Sequence, residues 1–193
     1  MYSLLRCPVC RGAGSGPQGL CGRCQTGLLE PTIGTFELSL GVYDGPLERA
    51  VRAYKFGNVR RLGRFFGAAL ADALTASGWE ADLLCAVPLH PLRLVQRGYN
   101  QSALLAQAAA KRSGLPYRAL LRRVRPTRQQ ARLGGDDRQG NVAGAFVASP
   151  LQGERVVVFD DVLTSSATAT ECALTLLSAG AGRVYVATIA RAQ

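Results

Sequence analysis

VVVFDDVLTSSAT, running from Val156 to Thr168, decides how this chain folds and where its chemistry sits. Four apolar residues, three of them β-branched, read as a strand buried on both faces, as in a parallel sheet. Two adjacent carboxylates follow, then an apolar pair and a cluster of hydroxyls. Behind them Ala169, Cys172, Ala173, Leu176 and Leu177 recur at helical spacing up to Gly180. In open parallel sheets, ligands bind beyond the carboxyl ends of the strands. The N-terminus of the following helix turns backbone N–H groups toward an anion. Thr164, Ser165, Ser166 and Thr168 add hydroxyl donors, so the loop is expected to grip a phosphate. Asp160 and Asp161 repel that phosphate; paired acids in such a place accept from sugar hydroxyls or attract magnesium. A phosphate at one end and a diol at the other describe a ribose 5-phosphate. The alternative is a solvated turn whose hydroxyls cap the helix, which leaves the paired acids unexplained.

Outward from this unit, strands alternate with helices. FELSLGVYD (Phe36 to Asp44) reads as a strand, and Pro46 suits the first turn of a helix carrying Leu47, Ala50, Val51 and Tyr54 at helical spacing. Leu62, Phe65, Phe66, Ala69, Leu70 and Ala73 give a second helix. DLLCAVP is a short buried strand, and Asn100 to Arg112 is a helix closed by Gly114. RVVVF and RVYVATIA are further strands. The pattern predicts an α/β fold, an open, mostly parallel twisted sheet with helices on both faces. Glu30 to Gly34 reads as a linker, and Arg125 to Gly144 as a long polar loop of the kind that serves function. Cys85 and Cys172 lie on apolar elements and read as core.

Four other cysteines are different. Cys7, Cys10, Cys21 and Cys24 form two C-x2-C knuckles separated by ten residues rich in glycine. Two such knuckles close a tetrahedral thiolate site on one zinc ion. The predicted organisation is a four-cysteine zinc-binding unit over residues 1–30 and an α/β domain over 31–193. No run of apolar residues is long enough to span a membrane. No apolar segment of signal-peptide type precedes the first cysteines, so the expected location is the cytoplasm, where cysteines serve as metal ligands or core more than as disulfides.

Charge points to phosphate. Lys and Arg number 23 against 13 Asp and Glu, and the net charge is +10. Nine of the basic residues fall between Lys111 and Arg138. Such a surface attracts nucleic acid or phosphorylated ligands. Arg122, Arg123, Arg125, Arg128 and Arg132 are the candidates for contact with single-stranded DNA, since loop arginines follow a strand without reading its sequence.

The strand, the two acids and the hydroxyl loop resemble the signature of type I phosphoribosyltransferases, whose loop holds the 5-phosphate of phosphoribosyl pyrophosphate (PRPP). The resemblance implies that Asp160 and Asp161 bind ribose hydroxyls, with magnesium accompanying PRPP. It also implies that Thr164, Ser165, Ser166, Ala167 and Thr168 cradle the phosphate. Ser166 stands where that family usually has glycine, and Thr164 where the 6-oxopurine transferases carry an acidic general base. The cysteine knuckle, then YKF, VPLH, RGYNQ, RQQARL, RQGNVAGAF and FDDVLTSSAT, occur in that order over nearly the whole chain. In this the chain resembles the ComF (ComFC-type) proteins of bacterial natural competence. That resemblance implies a cytosolic role in moving incoming single-stranded DNA alongside a partner helicase. A Walker A motif is absent, so the motor is expected on another chain. In the related transferases the loop at Val87 to His90 holds pyrophosphate, and Arg93 and Arg97 are the guanidinium candidates beside it. Two functions stay open at this point. One is a DNA-handling competence factor with a pocket for PRPP or a similar phosphate ligand. The other is an active phosphoribosyltransferase of nucleotide metabolism with an unknown acceptor. The short stretch after the last strand, with no segment to recognise a base, weighs against the second.

Overall fold

A computed structural model describes residues 6–12, 20–125, 142–164 and 166–192. In chain order the elements are α1 (Gly22–Thr26), β1 (Thr32–Ile33), β2 (Glu37–Ser39), α2 (Gly45–Phe56), α3 (Leu62–Ser77), β3 (Leu83–Ala86), α4 (Pro91–Arg97) and α5 (Gln101–Ser113). They continue with β4 (Leu121–Arg123), β5 (Phe146–Ala148), β6 (Arg155–Leu163), α6 (Ala167–Ser178) and β7 (Arg183–Arg191). Five strands form one sheet in the order β1-β2-β7-β6-β3. Its pairs are parallel except β1 with β2.

β6 carries the register. Val156 pairs with Leu83 on one side and Val184 on the other. Successive side chains of a strand point to opposite faces, and both faces here are covered. Val157 and Phe159 belong to the apolar cluster that α2, α3 and α5 share. Val156 and Val158 pack with Cys172 and Leu176 of α6. The run of valines is therefore apolar without alternation. Cys85 and Cys172 are fully buried in that second cluster, as core residues.

Local chemistry sets the helix ends. Asp44 accepts a hydrogen bond from the Gly45 N–H at 2.7 Å, with proline in the first turn of α2. Asn100 accepts from the Ser102 and Ala103 N–H groups, and Gly114 ends α5 in the left-handed region. Gly67 lets α3 approach α5, since a Cβ there would come 2.5 Å from that of Ala108 and 2.7 Å from the Leu105 carbonyl.

The structure differs from the sequence-based expectation at five places. The strand read over Phe36 to Asp44 is regular only as β2, Glu37–Ser39, because Asp44 caps α2 instead. Thr32 and Ile33 are not linker but edge strand β1, pairing with Leu38 and Ser39. Residues 91–97 are a short helix, with His90 as its cap. Leu121–Arg123 and Phe146–Ala148 form a separate antiparallel ribbon at the two ends of the long polar segment. The buried strand does not stop before the acids: β6 continues to Leu163, because β7 is as long and pairs with it through Arg191. Among the described residues, no helix is long and apolar enough to cross a membrane.

Candidate functional site

The site begins with where α2 ends. Its last turn delivers Lys55, whose Nζ lies 2.7 Å from Asp161 Oδ1. α5 starts beside the end of β3, because Asn100 Nδ2 donates to the Val87 carbonyl. That places Ser102, whose hydroxyl donates to Asp160 Oδ1 at 3.0 Å. The same oxygen accepts from the Asp161 N–H at 2.8 Å. Three further bonds clamp α2 to α5. Tyr54 donates to the Gln101 carbonyl, Tyr99 donates to the Tyr54 carbonyl, and Gln101 Nε2 donates to the Lys55 carbonyl. YKF and RGYNQ, separate motifs in the sequence, are one hydrogen-bonded unit beneath the acids. Both tyrosine rings are buried within it.

Electrostatics follow from this packing. Burial pushes the Asp160 carboxyl up to about 7, and the neighbouring Asp161 charge adds to the shift; Lys55 and the two hydrogen bonds pull it back. Burial pulls the Lys55 ammonium down, but Asp161 outweighs it and holds the group above its ordinary value. Arg97 is close enough to oppose that. Burial and then Arg97 lower Arg93, while burial and then Arg93 lower Arg123, with Asp160 acting the other way. The acid pair thus holds one ammonium in direct contact, with Arg123 close enough to act on Asp160 and Arg97 close enough to act on Lys55; carboxylates beside cations in this way suit a ligand that carries both hydroxyls and anionic oxygens.

The loop after β6 holds Thr164, exposed, and Ser166, with Ala167 and Thr168 opening α6. Ser165 lies outside the described residues. Ser166 adopts φ +56°, ψ −12°, the left-handed region, and its side chain makes no capping hydrogen bond. The reading of Ser166 as a helix-capping hydroxyl therefore fails, and the backbone has the shape that glycine takes without cost. Ser166→Gly is expected to raise stability by about 1 kcal/mol, measured by urea unfolding, with Ser166→Ala giving no such gain. A glycine variant no more stable than the parent would show that the loop is not strained.

Of the arginines, Arg122 is exposed on β4, and Arg125 is exposed and donates to the Ala143 carbonyl. Arg123 is buried, its guanidinium 5.2 Å from the centroid of the Phe146 ring. It packs inward on that ring rather than to the surface, close enough to Arg93 and Asp160 for both charges to act on it. Arg128 and Arg132 lie outside the described residues. Lys55 escaped the sequence reading, because nothing local marks a partner 106 positions away. Two signals were available: its place in YKF, and its being one of two lysines in a chain of arginines.

Cys7, Cys10, Cys21 and Cys24 converge, all four sulfurs within 4.8 Å of one another. α1 begins directly after Cys21 and carries Cys24. Burial works against the Cys7 thiolate, yet the backbone N–H groups of Cys10, Cys21 and Val9 outweigh it and bring the thiol down to about 6. A tetrahedral thiolate site with Zn–S bonds of about 2.3 Å fits this cluster. The cluster is docked, not pendant: Cys7, Val9, Leu20 and Leu28 share the apolar core of α2 and α3, and Arg49 Nε donates to the Val9 carbonyl. A shallow cleft of about 260 Å³ lies at the β1–β2 edge, lined by residues including Phe36, Glu37 and Arg191, away from the acids.

No protein-family model matches the chain. It is 34% identical over 187 residues to the DNA utilization protein YhgH of Salmonella typhimurium, covering 93% of this chain and 81% of that one. It is 30% identical over 195 residues to competence protein F of Haemophilus influenzae, covering 96% and 85%. Competence protein ComFC of Streptococcus pneumoniae is 26% identical over 172 residues, covering 89% of this chain and 74% of that one. Among solved structures, the allosteric regulatory enzyme of purine biosynthesis is similar at a TM-score of 0.48 and 26% identity, over 67% of this chain and 26% of that one. Adenine phosphoribosyl transferase from Trypanosoma brucei is similar at a TM-score of 0.44 and 15% identity, over 83% and 73%.

Proposed function

Since the chain belongs to the ComF family of competence and DNA-utilization proteins, we propose that it handles incoming single-stranded DNA in the cytoplasm during natural transformation and binds a ribose 5-phosphate group, as in PRPP, at its acid pair. The similarity to YhgH and to competence protein F over more than nine-tenths of the chain carries the first half. The second half rests on the convergence of Lys55, Ser102, Asp160 and Asp161 below the phosphate loop. Asp160 and Asp161 accept from ribose hydroxyls. Thr164, Ser165, Ser166, Ala167 and Thr168 surround the phosphate, and Arg93 and Arg97 meet the anionic group on the far side. Magnesium accompanies PRPP through its pyrophosphate. Zinc holds the cysteine cluster, and a helicase on another chain drives the strand.

Calorimetry with PRPP and magnesium tests the pocket. Asp160→Asn with Asp161→Asn is expected to weaken binding about tenfold or more, since hydrogen bonds to charged groups are the stronger ones. No PRPP affinity in the parent protein would remove the pocket from the proposal. DNA binding is tested by anisotropy across a salt series. Each phosphate contact contributes about −0.7 to the log–log slope on single strands. Replacing Arg122, Arg125, Arg128 and Arg132 with alanine is expected to flatten the slope accordingly and to impair transformation. Absence of binding at low salt overturns the DNA role. A second reading, active phosphoribosyl transfer, is favoured by the retention of both acids in a hydrogen-bonded frame. Release of pyrophosphate from PRPP in the presence of candidate acceptors separates it from the first.

A further inference from the structure

Basic surface is not confined to the arginine-rich segment that the sequence singles out. No acidic residue occurs between Glu48 and Asp72, or between Asp82 and Asp136. The C-terminal end of α2 and the whole of α4 come from these two acid-free stretches. At their meeting point Phe56 is 68% exposed, an unusual position for a large aromatic ring at a helix end. Arg97 lies over that ring, 5.3 Å from its centroid. α4 adds Leu92 at 66% and Val95 at 84% exposure. Nearby, Arg60 lies 4.5 Å from the centroid of Tyr99. Lys55, the residue before Phe56, holds Asp161.

An exposed ring backed by a guanidinium, in an apolar patch with arginines drawn from two acid-free stretches of the sequence, matches one occupant better than others. A protein partner gains from the apolar residues but is not selected by the lack of acids. Free nucleotides gain from the charge but not from the length of the patch. A single polynucleotide strand uses both, its bases stacking on aromatic and apolar faces and its phosphates meeting arginine. We propose that Phe56 and Arg97 form a base-stacking platform for single-stranded DNA, extending along α4 beside the acid pair. The proposal rests on the DNA-handling reading above. It adds a place where the strand lies and a residue that holds it by stacking, not by charge.

The test uses the full chain and a fluorescently labelled oligothymidine in anisotropy titrations at fixed salt, repeated across a salt series. Phe56→Ala is expected to weaken binding about tenfold with no change in the salt slope, because no phosphate contact is lost. Phe56→Trp is expected to bind at least as tightly as the parent. Arg97→Ala is expected to weaken binding and flatten the slope by about 0.7. Leu174→Ala, an exposed apolar residue on α6, serves as the remote control and is expected to match the parent. Phe56 is exposed, so its variants keep the fold, which circular dichroism checks. If the parent binds no single-stranded DNA, the DNA-handling reading falls and this platform with it. If the parent binds and Phe56→Ala binds equally well, the platform alone is overturned. It is overturned likewise if Phe56→Ala leaves DNA affinity intact while abolishing self-association in sedimentation velocity, which makes the patch a protein interface.

Discussion

Chelating the metal from the four-cysteine cluster is expected to release the cysteine segment from the body of the protein while the sheet stays folded. A structural zinc site contributes on the order of 10 kcal/mol to the unit it closes, and the glycine-rich stretch between the knuckles offers little core in its place. The effect reaches further than a detached finger would allow. Cys7 and Leu20 are fully buried, and with Val9 and Leu28 they share the cluster that contains Leu47 and Val51 of α2. Loss of the metal therefore uncovers one face of α2 and breaks the bond from Arg49 to Val9. β6 and β7 keep their own apolar contacts on both faces. Hydrogen exchange reads this directly, with fast exchange at the cysteine segment, intermediate exchange in α2 and slow exchange in the central strands. Elemental analysis that finds no zinc in the purified protein, or an exchange pattern that a chelator leaves unchanged, overturns the expectation.

Lys55→Met is expected to lower stability by about 3 kcal/mol, since breaking a largely buried ion pair strands the remaining charge. The side chains of Lys55 and Asp161 are only 21% and 12% exposed, so solvent screens little of the loss. The methionine keeps the aliphatic stem and isolates the charge. Adding Asp161→Asn is expected to restore much of the stability, because the orphaned carboxylate is then gone. Urea unfolding of the two single variants and the double variant measures the coupling. The pH dependence gives an independent reading. In the folded protein Asp160 keeps its proton up to about pH 7, whereas the unfolded chain releases it near 3.8. Between those values the folded state holds more protons than the unfolded state, so stability falls as pH rises across the window. Lys55 is one of the groups that pull Asp160 down. Its removal is expected to carry the upper end of the window to higher pH and deepen the fall. A variant with unaltered stability and an unaltered pH profile would show that the pair contributes nothing.

What could be read ahead of the structure was local. The valine run, the stripe from Leu62 to Ala73 and Gly114 after its helix all act within a turn or two of themselves; the helix read from Asn100 begins one residue later, with Asn100 as its cap. The two knuckles were legible because C-x2-C spacing fixes a pair of thiolates through one tight turn. Elements set by distant partners were not legible. Thr32 and Ile33 become a strand only because Leu38 and Ser39 pair with them. Three-residue strands β4 and β5 exist only as each other's partners. β6 runs past its acids because β7 is equally long and pairs along it. At the site, the paired acids announced themselves, but their cation came from α2 and their hydroxyl from α5. The departure at Ser166 was visible as a letter, and the structure supplies its meaning as a left-handed backbone.

β7 is the last strand of the sheet to leave the ribosome, and it occupies an interior place between β2 and β6. Until residues 183–191 are made, the two halves of the sheet have nothing to join them. β2 must wait through roughly 150 residues of synthesis before Leu38 meets Ala187. Closing a span of that length precedes any reward from the contacts it creates. During the wait, the valines and Phe159 of β6 present an unpaired apolar edge on the side where β7 belongs, the kind of surface that nascent chains lose to aggregation. The sheet therefore closes only once its last strand has been made, and the yield of folded molecules depends on what shields that edge until β7 arrives.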